Sequence, residues 1–268
     1  MKIFAYYFAI CAAALFTACA GGHYKTAVCP GFYHDHLQGI AAAQGKIYWS
    51  YTTKIIRTGK DGEIEKIVDA QRHHGDCCFY GGKLYVAVNH GEFNTKNKAD
   101  NYVYIYDADL NFLDKIPLPE LEGGLGGITH HNGSFYAVGG IDGSEANFKI
   151  CKYSKDFKLE REFFVPVGES FLGAQTICHA SGRFWIGVYL KKEFVPARLV
   201  LWEMDDNFGI IKKHARPDLP NCGIDAIENA DGCNLLIAKY RGKKSEKGKK
   251  IYAPYANAAV PQKIEPTK

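Results

Sequence analysis

Methionine is almost missing from this chain, with 2 residues in 268, against 17 tyrosines and 16 phenylalanines. Beyond the first twenty residues no stretch repeats apolar positions at helical spacing, which excludes a helical bundle. No Cys-x-x-Cys pair occurs, which removes the usual framework of a structural zinc site. Charge of one sign is also scarce. A net charge of +4 provides no concentrated basic face, so nucleic acid is not an expected partner. What remains is rich in aromatic and β-branched residues, a composition suited to half-buried pleated sheet.

The one long apolar run, "IFAYYFAICAAALFTACAGG", directly follows Met1–Lys2. A basic start, an apolar middle and a small-residue exit make residues 1–20 a signal peptide and the chain an exported one. Two processing routes fit. "LFTAC" resembles a lipoprotein box ending on Cys19, with Phe16 where leucine is usual. Cleavage after "ACA" would instead release a secreted chain. The expected location is the periplasm, outer membrane or cell surface for the lipoprotein, or the medium for the secreted form. Membrane attachment is expected only through a lipid on Cys19. Seven cysteines follow the leader, an odd number, so at least one thiol is left over. The expected disulfide joins Cys29 and Cys222.

Five segments share a small-residue turn followed by an apolar strand: "AAQGKIYWSY", "FYGGKLYVAV", "HHNGSFYAVG", "HASGRFWIGV" and "NADGCNLLIAK". A second hairpin follows each strand, as in "YVYIYDADLNFLDKIPLP" and "RLVLWEMDDNFGIIKKH". Four antiparallel strands recurring at this period resemble the blade of a β-propeller. The expected fold is all-β: one five-bladed propeller over residues 23–258, with a tail at 259–268. The fifth repeat supplies three strands, and "YKTAVCPG" (Tyr24–Gly31) is expected to complete it and close the ring.

The propeller resemblance implies that first strands lie innermost and open on one face, which second-to-third-strand loops also reach. Aligned inner-strand entries read "HLQGI" (36–40), "HHGDC" (73–77), "GLGGI" (124–128), "GAQTI" (173–177) and "GIDAI" (223–227). The fifth column is apolar core. The fourth holds small residues, except Asp76. His36, Gln38, His73, His74, Gln175 and Asp225 are expected to converge on a shared mouth, with room left by the glycines of blade three. Long loops in blades two to five would wall it, including the basic run "RGKKSEKGKK", which would favour anionic ligands. Trp49, Tyr51, Tyr189 and Tyr240 are candidate stacking platforms. His130, His131 and His179 fall near the opposite-face turns.

The pattern "HLQGI…HHGD…GGI…QT" resembles exported bacterial propellers of unsettled biochemistry and, more distantly, lactonase-type propellers of the SMP-30/NHL kind. The expected function is action on a carbohydrate, lactone or similar polar small molecule. His36, His73 and Asp76 would be catalytic, because imidazole titrates near neutrality and a carboxylate orients it. Gln38, His74, Gln175, Asp225 and Tyr189 would bind substrate. His36 and His73 would alternatively hold a divalent ion, Ca, Mn or Zn. Such chemistry would be that of a hydrolase or lyase, lactonase-like or polysaccharide-lyase-like. Five-bladed glycosidases resemble this layout, but their pattern implies three axial acids and the aligned columns hold only Asp76 and Asp225. The other reading is a non-catalytic surface protein that binds a glycan or small ligand.

Overall fold

The computed structural model describes residues 27–141, 146–166, 171–190, 199–215, 222–229, 232–244 and 250–259. The leader, Cys19 and the tail lie outside them. All the described regular structure is antiparallel sheet, and no helix among the described residues is long and apolar enough to cross a membrane.

A two-residue strand, β1 (Ala27–Val28), comes first. Four sheets then form in turn, each from strands consecutive in sequence. The first holds β2 (Leu37–Ala43), β3 (Lys46–Tyr51), β4 (Lys54–Gly59) and β5 (Ile64–Asp69). The second holds β6 (His74–Tyr80), β7 (Lys83–Asn89), β8 (Asn101–Asp107) and β9 (Phe112–Pro117). The third holds β10 (Leu125–His131), β11 (Ser134–Gly139), β12 (Asn147–Ser154) and β13 (Leu159–Pro166). The fourth holds β14 (Phe171–Ala180), β15 (Arg183–Leu190), β16 (Leu199–Met204) and β17 (Ile210–Ala215). The last sheet combines β18 (Ile224–Asn229), β19 (Gly232–Lys244) and β20 (Lys250–Ala259) with β1.

The expected five-bladed ring, closed by the N-terminal strand completing the last blade, therefore needs correction. Four blades are self-contained, and the remaining sheet is composite. Within the described part of the expected Tyr24–Gly31 strand, ladder pairing is confined to Ala27 with Ala256 and Val28 with Tyr255. Cys29 adds one backbone bond to Pro254 (3.3 Å). The all-β propeller class stands; a full-length closing strand does not.

The turns explain why these segments pair. Gln44–Gly45, Gly81–Gly82, Asn132–Gly133 and Ser181–Gly182 all have positive φ at both residues, the two-residue turn whose twist matches a hairpin. The turns from third to fourth strands use a side chain instead. Asp205 Oδ1 accepts from the amides of Asn207 and Gly209, each at 2.8 Å, and Asp107 Oδ1 does the same for Asp109 and Asn111. Large side chains then fill the space between sheets. Trp49, Trp185, Trp202, Tyr48 and Tyr51 are all fully buried.

Cysteine serves packing. Cys29, Cys77, Cys78, Cys151, Cys178 and Cys222 are buried thiols outside any disulfide. The expected Cys29–Cys222 disulfide is absent. Cys29 Sγ instead meets the hydroxyls of Tyr51 (3.6 Å) and Tyr33 (3.8 Å).

Candidate functional site

Each of the first four inner strands bulges near its entry. Register breaks fall at Gln38, at Gly75–Asp76, at Gly126 and at Gln175, which is the third aligned column plus Asp76. A bulge re-aims its side chain and bends the strand. Here it also lets backbones crowd. A Cβ on Gly75 would lie 2.6 Å from Gly126 O, and one on Gly126 would lie 2.6 Å from Ala174 O. Glycine at these places is required by the neighbouring backbone.

His36, Gln38 and His73 come together at the mouth. Gln38 Nε2 lies 3.1 Å from His73 Nε2 and 3.4 Å from His36 Nε2. One carboxamide thus donates to the lone pair of each ring, which leaves the ring protons on the Nδ1 atoms. His73 Nδ1 is buried and has no hydrogen-bond partner. Burial lowers the His73 pKa, and the charges of nearby His36 and Arg72 lower it further. His36 keeps an exposed edge, yet the protein crowds its ring enough that burial lowers its pKa as well. Two imidazoles held neutral around one amide are the distinctive chemistry of this face. Phe93 packs against His73 with ring centroids 5.5 Å apart. Gln175 is half-buried on β14, and Tyr189 is half-buried at the end of β15.

His74, one residue from His73, does different work. It has no exposed surface. Its Nδ1 lies 2.6 Å from Gln71 O and its Nε2 lies 2.9 Å from the Tyr106 hydroxyl. Burial takes its pKa down to about 4. Both ring nitrogens belong to the fold, leaving none for a substrate.

Asp76 is also fully buried. Its Oδ1 accepts from the Ile40 amide (3.3 Å) and its Oδ2 from the Ile177 amide (3.2 Å). The carboxyl therefore ties β6 to β2 and β14. Burial raises its pKa well above the carboxylate range, and nearby Asp225 adds to the rise, against the pull of the backbone donors of Cys77, Ile177 and Ile40.

Asp225 requires a correction of register. The ladder pairs Ile224 with Ile237 and Asp225 with Leu236, as it pairs Ile40 with Trp49 and Ala41 with Tyr48. Gly223 and Ile224 thus take the places of Gly39 and Ile40, and Asp225 sits further down the strand than the aligned "GIDAI" implied. A Cβ on Gly223 would meet Ile40 N at 2.5 Å, which confirms the new alignment. Asp225 Oδ2 accepts from Ala42 N (2.7 Å) and Oδ1 from Ala226 N (2.8 Å). Its carboxyl is enclosed although the residue keeps some exposure, and burial pushes its pKa up to about 7.

Three further expectations change. The space over the glycines of blade three is filled by the loop of blade two. Phe93 lies against Gly124, Asn94 N donates to Gly123 O (2.8 Å), and Ile141 N donates to Asn94 Oδ1 (3.2 Å). The described ends of the basic run are strand, since β19 reaches Lys244 and β20 begins at Lys250. Trp49 and Tyr51 are core residues and offer no stacking surface. The side chain of Tyr240 and the loop tips at 142–145, 191–198 and 245–249 lie outside the described residues.

One cluster escaped the sequence reading. His131, His179 and Asp206 bring their ligand-type atoms within 4.8 Å of one another. The two histidines were placed correctly near the opposite-face turns. Asp206, contributed by the turn between β16 and β17, carried no sequence signal that linked it to them.

No family model matches this chain, and no curated protein matches it either. Solved structures do. A xylan β-1,4-xylosidase from Bacillus halodurans C-125 superposes with a TM-score of 0.59 at 14% identity, covering 85% of this chain and 53% of that one. An exo-β-1,3-galactanase from Phanerochaete chrysosporium gives 0.59 at 11% identity, covering 88% and 66%. A Bacteroides ovatus protein, xyloglucan PUL GH43B, gives 0.57 at 12% identity, covering 88% and 54%. The chain thus spans between about half and two thirds of the length of these neighbours. At such identities the likeness concerns the fold alone, and that fold is the all-β propeller.

Proposed function

We propose that this is an exported propeller whose mouth binds, and chemically acts on, a carbohydrate or similar polar small molecule. The observation that carries the reading is the Gln38 carboxamide set between His36 Nε2 and His73 Nε2. Neutral imidazoles accept hydroxyl protons, and a positioned one works as a general base near neutral pH. In this reading a substrate hydroxyl displaces the Gln38 amide from His73 Nε2, which frees that lone pair to act as the base, and His36 Nε2 provides the second acceptor. The carbohydrate class is supported by two structural neighbours, a xylosidase and a galactanase. Export is supported by the pattern of residues 1–20.

Asp76 takes no part in this chemistry, because its oxygens are held by backbone amides in the interior. A divalent ion would use the same two imidazole nitrogens, with Gln38 turned to present its oxygen as a third ligand. The test is calorimetric binding and turnover on a panel of neutral and acidic oligosaccharides and lactones, comparing wild type with His73→Ala and Gln38→Ala. Turnover that disappears in His73→Ala, with binding largely kept, supports the base. Binding lost in both variants without any wild-type turnover supports the non-catalytic binder. Full binding and turnover in both variants would remove this mouth from the function.

A further inference from the structure

The second concentration of histidine lies at the far ends of the inner strands from the mouth. His131 ends β10, His179 is the penultimate residue of β14, and Asp206 sits in the turn Asp205–Gly209 between β16 and β17. The His131 and His179 rings stack at 3.4 Å between centroids. Phe184 stands nearly edge-on to both, at 5.7 and 4.8 Å, and forms an apolar floor. His179 Nε2 is buried and lacks a hydrogen-bond partner, although Asp206 Oδ1 lies 3.4 Å away, within ion-pair reach. The Asp206 turn is itself anchored. Asp205 Oδ1 bonds two of its amides, and buried Phe208 packs on Phe184 at 4.5 Å.

We propose that His131, His179 and Asp206 bind a first-row divalent cation, with zinc the ion whose preferences they fit. Two imidazoles and one carboxylate are a recurrent zinc ligand set, with the fourth position left to water or another ligand. The donor atoms lie within 4.8 Å of one another. Tetrahedral zinc, with bonds of about 2.0–2.1 Å to nitrogen, draws its ligand atoms to roughly 3.3 Å. The rings are stacked 16° from parallel, so both must turn about their Cβ–Cγ bonds before their in-plane lone pairs converge, while the Asp206 side chain, 69% exposed, swings in. The ion would bridge blades three and four, so its first effect is to fasten those two sheets together.

The test uses the full chain after chelation and dialysis, titrated with cobalt(II) as a visible probe and then with zinc. One equivalent of cobalt should give the absorption of a four-coordinate nitrogen–oxygen site, and zinc should displace it. His131→Ala and His179→Ala should each weaken zinc by at least about 100-fold, the upper end of what loss of an outer-shell partner costs a metal site. His130→Ala should leave the affinity unchanged. Zinc should also raise the thermal midpoint of wild type and not of His179→Ala. If the alanine variants fail to fold, Asp206→Asn on the exposed turn answers the question, with an expected loss of about 10-fold. Cobalt uptake that survives both histidine substitutions, or no uptake at all, would overturn the proposal.

Discussion

His73 and His74 are adjacent in sequence and belong to different regions. His74 and Asp76 work in the interior, where every side-chain polar atom they offer meets a partner in the fold. His73 works at the rim, where Nε2 meets Gln38 and Nδ1 is left without a partner. The difference is that the polar atoms of His74 and Asp76 are engaged by the fold, whereas His73 meets only a side chain and keeps one buried nitrogen unpaired.

The strongest way to break this comparison is Asp76→Ala. Removing the acceptor of two interior amides on different strands should destabilise the fold by about 3 kcal/mol, measured by urea unfolding. An unchanged midpoint would mean that Asp76 does not hold β2 and β14 together. His74→Phe should cost about 2 kcal/mol, because Gln71 O and the Tyr106 hydroxyl lose their partners. At the rim the expectation reverses. His73→Ala should change stability by less than about 1 kcal/mol, while abolishing the turnover assigned to the mouth.

A pH titration sharpens the contrast further. The folded pKa of His74, about 4, lies below the ordinary 6.5. The unfolded chain therefore binds the extra proton first. The stability gained from neutral His74 is full above pH 6.5 and is lost as pH falls toward 4. His74→Phe should remove the rise in unfolding free energy that His74 contributes across that window. Asp225 acts in the other direction. With its folded pKa raised to about 7 from an ordinary 3.8, its contribution is full below 3.8 and is lost as pH rises toward 7.

The fold was legible where local chemistry decides it. Paired turn residues such as Asn132–Gly133, and apolar columns such as Ile40, Cys77, Ile128 and Ile177, are visible in one dimension. The register of β18 was not. Ile224 and Ile227 both fit the apolar column, and only pairing with β19 and the approach of Gly223 to Ile40 choose between them. At the site, the exceptional standing of Asp76 among small residues was legible. Its role was not, since one of its donors, Ile177, lies 101 residues away. The filling of blade three by Phe93 and Asn94 was equally hidden, because a loop carries no periodicity to show which neighbour it covers.

The six buried thiols among the described residues give the molecule an internal clock. Burial holds Cys77, Cys78 and Cys222 far from thiolate formation, so a thiol reagent reaches each one only when its surroundings open. Cys77 and Cys78 report on the second sheet, Cys151 on the third and Cys178 on the fourth. Labelling followed residue by residue would therefore show whether the blades come apart together or one at a time, with no engineered probe.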